Sequence, residues 1–234
     1  MAQRSTPENL LVLYEDNHLI AVNKRVGDIV QGDKTGDRPL SEVVKEYIKH
    51  KYNKPGEVFL GVAHRIDRPV SGVVLFARTS KALSRLNEMF RTRDVEKVYW
   101  AVVKNAPPKK SDLLKNWLYK VQKQNKSYVS EKQRPDAKEG RLRYELLASS
   151  KDYHLLEIHP ETGRHHQIRV QLAHMGCPIK GDLKYGFDRS NPDGGIHLHA
   201  RKLKLVHPVK KTEMEIVAPA PKDVLWQFFE DQQH

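Results

Sequence analysis

One carboxylate, Asp67, stands between two arginines in the stretch Gly61-Val62-Ala63-His64-Arg65-Ile66-Asp67-Arg68-Pro69-Val70-Ser71-Gly72. Guanidinium groups close to an aspartate favour its ionised form, and an ionised carboxylate is available as a nucleophile at neutral pH. An aspartate beside arginines is more commonly held in surface ion pairs, and this segment on its own fits that structural role better. Further chemistry-bearing candidates follow in two other stretches. Tyr99 lies in Glu96-Lys97-Val98-Tyr99-Trp100-Ala101-Val102-Val103, and Arg164, His165 and Arg169 lie in Gly163-Arg164-His165-His166-Gln167-Ile168-Arg169-Val170. Taken singly, Tyr99 reads as a core aromatic with its hydroxyl bonded, and Arg169 as a brace on a helix.

Two familiar chemistries fail on spacing. His64-Arg65-Ile66-Asp67 approaches the His-Arg-Asp loop of protein kinases, but it has one residue too many, and the chain holds neither a Gly-x-Gly-x-x-Gly loop upstream nor Asp-Phe-Gly downstream. Histidines are frequent, from His64 through His159, His165 and His166 to His199, yet no His-Glu-x-x-His or comparable ligand set occurs. Neither a metal nor a cofactor is expected.

The elements that must position these residues follow from periodicity. Leu10–Tyr14 and His18–Asn23 are β-rich runs around the turn Glu15-Asp16-Asn17, which predicts a hairpin. Leu40, Val43, Val44, Tyr47 and Ile48 recur at helical spacing, and Pro55-Gly56 ends that run. The Asp67 loop precedes a strand at Val73–Ala77 and a helix carrying Ala82, Leu83, Leu86, Met89 and Phe90. Val98–Val103 is a strand, and Pro107-Pro108-Lys109-Lys110 is a break, better read as a loop within one domain than as a boundary. Arg143–Leu147 and Leu155–His159 form an antiparallel pair. Ile168, Leu172 and Met175 share one face of a helix that Gly176 stops. Leu198–Val206 and Glu213–Val217 pair around Pro208-Val209-Lys210-Lys211, and a last helix covers Lys222–Phe229. Strands outnumber helices and most connections are hairpins, so the fold class is α+β, a mixed but mainly antiparallel sheet with flanking helices in one domain over residues 1–234.

Composition sets the class of partner. The 234 residues hold 41 lysines and arginines against 29 aspartates and glutamates, a formal charge of +12. Those charges are spread along the whole chain, so the folded body itself must carry a basic surface suited to a polyanion. Cys177 is the only cysteine, which excludes an intramolecular disulfide and a Cys-x-x-Cys zinc site and fits a reducing compartment. No apolar run is long enough to span a bilayer, and Met1–Pro7 has no apolar core of a secretory signal. A cytoplasmic location without membrane attachment is expected.

Read together, the three segments resemble the RluA family of RNA pseudouridine synthases. His64-Arg65-Ile66-Asp67-Arg68-x-x-Ser71-Gly72 is similar to the family's nucleophile motif, His-Arg-Leu-Asp followed by Thr-Ser-Gly, with Ile66 and Val70 as mild departures. Glu96–Val103 is similar to the strand whose tyrosine faces the target uracil. Gly163–Val170 resembles Gly-Arg-x-His-Gln-Ile-Arg and continues into Gly176-Cys177-Pro178-Ile179-Lys180-Gly181-Asp182 and Tyr185-Gly186, the most specific of the matches. Gln171 and Cys177 stand where the family often has histidine.

The resemblance implies an isomerase that converts specific uridines of structured RNA, tRNA or large-subunit rRNA, to pseudouridine without a cofactor. It implies Asp67 as nucleophile, Arg169 as the partner that keeps Asp67 ionised, and Tyr99 stacked on the base. A phenol ionising near pH ~10 is a poor base at neutral pH, so removal of the carbon 5 proton by Tyr99 would need help from its surroundings. Arg65 would enter the stack left by a flipped nucleotide, with Arg68, Arg164 and His165 as further RNA contacts. A monomer working without a protein partner is expected. The family often carries an N-terminal S4-type RNA-binding domain; with the fold starting near residue 10, none is expected. The competing readings are a catalytically silent RNA-binding protein of the same fold and a histidine-based nuclease. Intact Asp67, Tyr99 and Arg169 count against the first.

Overall fold

The computed structural model describes residues 3–33 and 35–233, and in these it has eleven strands and four α-helices. Two compact units divide the chain, one formed by residues 1–97 and 200–220, the other by 98–199 and 221–234.

In the first unit, β1 (Val12–Glu15) and β2 (Leu19–Lys24) form the expected antiparallel hairpin. Its turn is organised by Asp16, whose carboxylate accepts the backbone N–H groups of His18 and Leu19, both at 2.8 Å. β2 pairs antiparallel with β4 (Ser71–Ala77), and all residues of both strands are buried. Burial on both faces explains why these runs read as continuous apolar sequence instead of alternating. The short β3 (Gly61–Val62) adds antiparallel to β4. Helix α1 (Leu40–Lys51) lays Leu40, Val43, Val44 and Ile48 into a core with Ile20, Val22, Val30, Val74 and Phe76. Each fully buried side chain of this kind contributes about 1.5–3 kcal/mol. Helix α2 (Ser80–Thr92) is capped by Thr79, whose side chain accepts the Ala82 N–H at 3.2 Å, and it ends at Arg93 in the left-handed conformation. β10 (Leu198–Val206) neighbours β4, and β11 (Glu213–Val217) pairs antiparallel with β10.

In the second unit the order is β5 (Glu96–Val103), β9 (His154–Pro160), β8 (Lys138–Ser149), β6 (Ser111–Val121), β7 (Lys126–Ser130), each adjacent pair antiparallel. Pro107–Lys110 is a loop between β5 and β6, inside this unit. β6 and β7 were not predicted from the sequence. Almost every side chain of β6 is half-buried, so no clean apolar alternation marks it, and its turn to β7 has no Gly or Pro but Asn125 in the left-handed region at φ 45°. Helix α3 (Gln167–His174) packs Val170 with Leu118 of β6 and Tyr185, and α4 (Val224–Asp231) is capped by Asp223, which accepts two backbone N–H bonds at 2.9 Å.

The strand after the Asp67 loop begins at a tight point. Gly72 has φ 118°, and a Cβ there would lie 2.3 Å from the Ala200 carbonyl oxygen and 2.5 Å from its nitrogen. Backbone cannot yield as a flexible side chain can, so Gly72→Ala is expected to lower the unfolding free energy by at least about 2 kcal/mol. Urea denaturation followed by tryptophan fluorescence measures this; an unchanged midpoint would show that β4 and β10 tolerate separation.

Candidate active site

The loop bearing Asp67 is fixed from both sides of that residue. Ile66 packs against the core of the first unit, which explains the demand for an apolar residue between Arg65 and Asp67. The Asp67 carbonyl accepts the Val70 N–H at 3.0 Å, closing a turn. The next carbonyl, that of Arg68, accepts the Gly27 N–H at 3.0 Å and the Lys24 ammonium at 3.1 Å. Lys24 is fully buried, and its Nζ also donates to the carbonyls of Arg25 (2.9 Å) and Asp28 (2.8 Å). Its three donor hydrogens therefore each meet a backbone carbonyl, so the buried ammonium leaves none unused. Burial pushes the Lys24 ammonium down, to about 7, against the opposing fields of Asp28 and Asp67.

His64 fastens the start of the same loop. Its Nε2 accepts the Leu75 N–H of β4 at 2.9 Å, and its ring stacks on Phe90 of α2 with centroids 4.7 Å apart. Enclosure of the ring, helped by the nearby charge of Lys97, lowers its pKa to about 4, so the imidazole is neutral and free to accept. The histidine of the motif is a structural clasp in this chain.

The flanking arginines differ in their surroundings. Arg65 is exposed. Arg68 donates from Nη1 to Asp37 at 2.5 Å and from Nη2 to Thr35 Oγ1 at 2.9 Å, with Asp33 at 3.8 Å. Asp37 also receives Arg4 at 2.9 Å, and these two guanidinium groups hold its carboxyl well below the usual range, at about 2. The Asp28 carboxylate accepts Ser5 through its N–H (3.1 Å) and its hydroxyl (2.6 Å).

In the second unit, Tyr99 lies half-buried on β5 opposite Ile158 of β9. Arg164, His165 and Arg169 gather around the start of α3. Arg164 donates from Nε to the Glu139 carbonyl of β8 at 2.9 Å. The Ser127 hydroxyl donates to the His165 carbonyl at 2.7 Å and meets His165 Nδ1 at 2.8 Å, so Nδ1 is the donor of that second bond. His166 adopts the left-handed conformation at φ 53°, and its ring stacks on His165 with centroids 3.8 Å apart. Burial, the adjacent Arg169 charge and His165 depress the His166 pKa to about 2. Arg169 is buried and forms a two-point ion pair with buried Asp182, Nε to Oδ2 at 2.7 Å and Nη2 to Oδ1 at 2.9 Å. The Tyr185 ring packs against the guanidinium at 5.1 Å.

Asp67, Arg65 and Arg68 thus belong to the first unit, and Tyr99, Arg164, His165 and Arg169 to the second. Sequence reasoning quoted Asp182 and Tyr185 within a motif but gave them no role, because only folding shows that they meet Arg169. It also passed over Lys24; the signal was available as a lysine ending the otherwise apolar run Leu19-Ile20-Ala21-Val22. Among the described residues no cluster of three or more His, Cys, Asp or Glu side chains could hold a metal ion, and no helix is long and apolar enough to cross a membrane.

The chain has a mixed α+β frame, with an anchored aspartate loop in one unit and a buried arginine near a helix start in the other. Residues 18–174 match the family model described as RNA pseudouridylate synthase, and the chain belongs to that family. It is 34% identical over 224 residues to ribosomal large subunit pseudouridine synthase C of Vibrio cholerae, covering 89% of this chain and 65% of that protein. It is 30% identical over 236 residues to tRNA pseudouridine synthase C of Vibrio vulnificus, covering 93% of each. Among solved structures, human RNA pseudouridylate synthase domain containing 4 matches with a TM-score of 0.76 and 26% identity, over 96% of this chain and 92% of that one. The fold is that of the pseudouridine synthases.

Two outcomes follow from the loop's anchoring. The folded-state pKa of His64 is depressed, so its contribution to stability is complete above about pH 6.5, declines as pH falls, and is gone below about 4. The stability advantage of the wild type over His64→Phe is therefore expected to shrink between pH 6.5 and 4 in urea titrations at stepped pH; an advantage independent of pH would refute the clasp. Lys24→Met removes one hydrogen bond from each of the Arg25, Asp28 and Arg68 carbonyls and is expected to cost more than about 2 kcal/mol, read from the thermal unfolding midpoint.

Proposed function

We propose that this protein converts specific uridines in structured RNA, tRNA or large-subunit rRNA, to pseudouridine. The observation that carries the reading is the coexistence, in one member of the family, of all three motif residues: Asp67, Tyr99 and Arg169. The reaction breaks the bond between uracil N1 and ribose C1′, turns the base, and joins C5 to C1′. The proton of C5 is lost to solvent and N1 gains one, so composition is unchanged.

In this reading Asp67 is the nucleophile, supporting departure of the base by attack on the ribose or the uracil ring. Its loop is anchored at Ile66, at the Arg68 carbonyl and at His64, which suits a group whose position must not drift. In the same reading Arg169 assists Asp67 in the reaction, and Tyr99 stacks on the target base. A nucleotide stacked or paired in RNA is out of reach, so it must be flipped at a cost of a few kcal/mol. The net charge of +12 offsets that cost through phosphate contacts. Exposed Arg65 fits insertion into the vacated stack, and Arg164 and His165 fit RNA contact beside α3. Arg68, paired with Asp37, would meet phosphate only by exchanging that partner. The protein acts as a monomer in the cytoplasm and needs neither cofactor nor metal.

Tritium release from RNA transcribed with 5-tritiated uridine tests the reading, with tRNA and large-subunit rRNA as parallel substrates. The wild type is expected to release tritium without shortening the RNA, and Asp67→Asn to lose activity by more than about a thousandfold. Full activity of Asp67→Asn, or absence of release by the wild type on total cellular RNA from a strain lacking this gene, would overturn it.

A further inference from the structure

We infer that Asp182 is a positioning residue for the reaction, acting through Arg169. The inference rests on the catalytic role proposed for Arg169.

An arginine side chain has four rotatable bonds, and a helix alone fixes only where it starts. Arg169 lies in the first turn of α3, and its guanidinium is held in place by contacts outside that helix. Asp182 engages it at two points, Nε and Nη2, which sets both the location and the plane of the guanidinium. The Asp182 side chain is itself buried and placed by its backbone: its carbonyl accepts the N–H groups of Tyr185 (3.1 Å) and Phe187 (3.0 Å), and its N–H donates to the Ile179 carbonyl at 3.0 Å. Tyr185 then covers the guanidinium, and the Tyr185 hydroxyl is fixed by accepting the Ser127 N–H at 2.9 Å and by a hydrogen bond shared with His166 Nδ1 at 2.9 Å. The segment Gly181–Gly186 is in effect a mould for one side chain. A buried ion pair is seldom kept for stability alone, because desolvation of both charges offsets most of their attraction. A pair that fixes the direction of a reacting group has a reason to be there.

The test compares Asp182→Asn, Asp182→Glu and Arg169→Lys in single-turnover and steady-state tritium release, normalised to folded protein by circular dichroism. Asp182→Asn keeps the size of the side chain but weakens the grip on the guanidinium, and kcat is expected to fall on the order of 100-fold with KM for RNA unchanged. Asp182→Glu restores the charge with the fork displaced by one methylene, and is expected to recover part of that loss. Arg169→Lys retains a cation without the fork; combined with Asp182→Asn it is expected to be no worse than the more damaging single change.

A merely structural Asp182 would lower the folded fraction and leave kcat per folded molecule at the wild-type value, which overturns the inference. If Asp182→Asn fails to fold, Asp182→Glu decides, since a wild-type kcat in that variant overturns it as well. Full activity of Arg169→Lys and Asp182→Asn together would instead remove the role proposed for Arg169.

Discussion

A lysine ammonium sealed inside the first unit governs how the aspartate loop can sit. Lys24 ends a strand buried on both faces, where a charge is costly, and it meets that cost by donating to three backbone carbonyls, one of them belonging to the residue after Asp67. The same residue's carbonyl also takes the Gly27 N–H, so the segment after β2 and the loop before β4 are tied at one point. Remove the ammonium and the Arg68 carbonyl keeps only the Gly27 N–H of these two ties. His64 and Ile66 extend the constraint to the other side of Asp67, by a backbone N–H taken from β4 and by burial in the core.

The second unit solves a related problem with different means. Its arginine is long and flexible, so anchoring the backbone is not enough, and the guanidinium has to be gripped at its end. Asp182 supplies the opposite charge, Tyr185 the covering ring, and His166 and Ser127 hold that ring. The depressed pKa of His166 follows from the same arrangement: beside Arg169 and under burial, a second positive charge is excluded, so the imidazole stays neutral. In each unit a buried charged side chain thus fixes its neighbour in place, Lys24 the loop of Asp67 and Asp182 the guanidinium of Arg169.

Much of this was legible before folding. The hairpin at Asp16, helices α1, α2, α3 and α4, and strands β4, β5, β8 through β11 all carry strong local signals, either apolar period or turn residues, and the structure has them with ends shifted by a few residues. β6 and β7 were missed because a half-buried hairpin rich in lysine, closed by Asn125 without glycine, presents neither signal. His64 was seen as part of a motif, but its role as an acceptor for the Leu75 N–H lies eleven residues away and depends on β4 folding back past it.

The sequence by itself determined which residue types stand in the three motifs, the balance of charge, and the period of most elements, because each of these is a property of neighbours along the chain. Only the tertiary structure decided which groups serve those residues: that Lys24 grips the Arg68 carbonyl across forty-four positions, and that Asp182 grips Arg169 across thirteen. Asp67 could be picked out as a candidate from its neighbours, but what holds its loop could not. A hydrogen bond or ion pair is set by distance and direction in space, and those are fixed when strands and helices pack, not by adjacency in sequence.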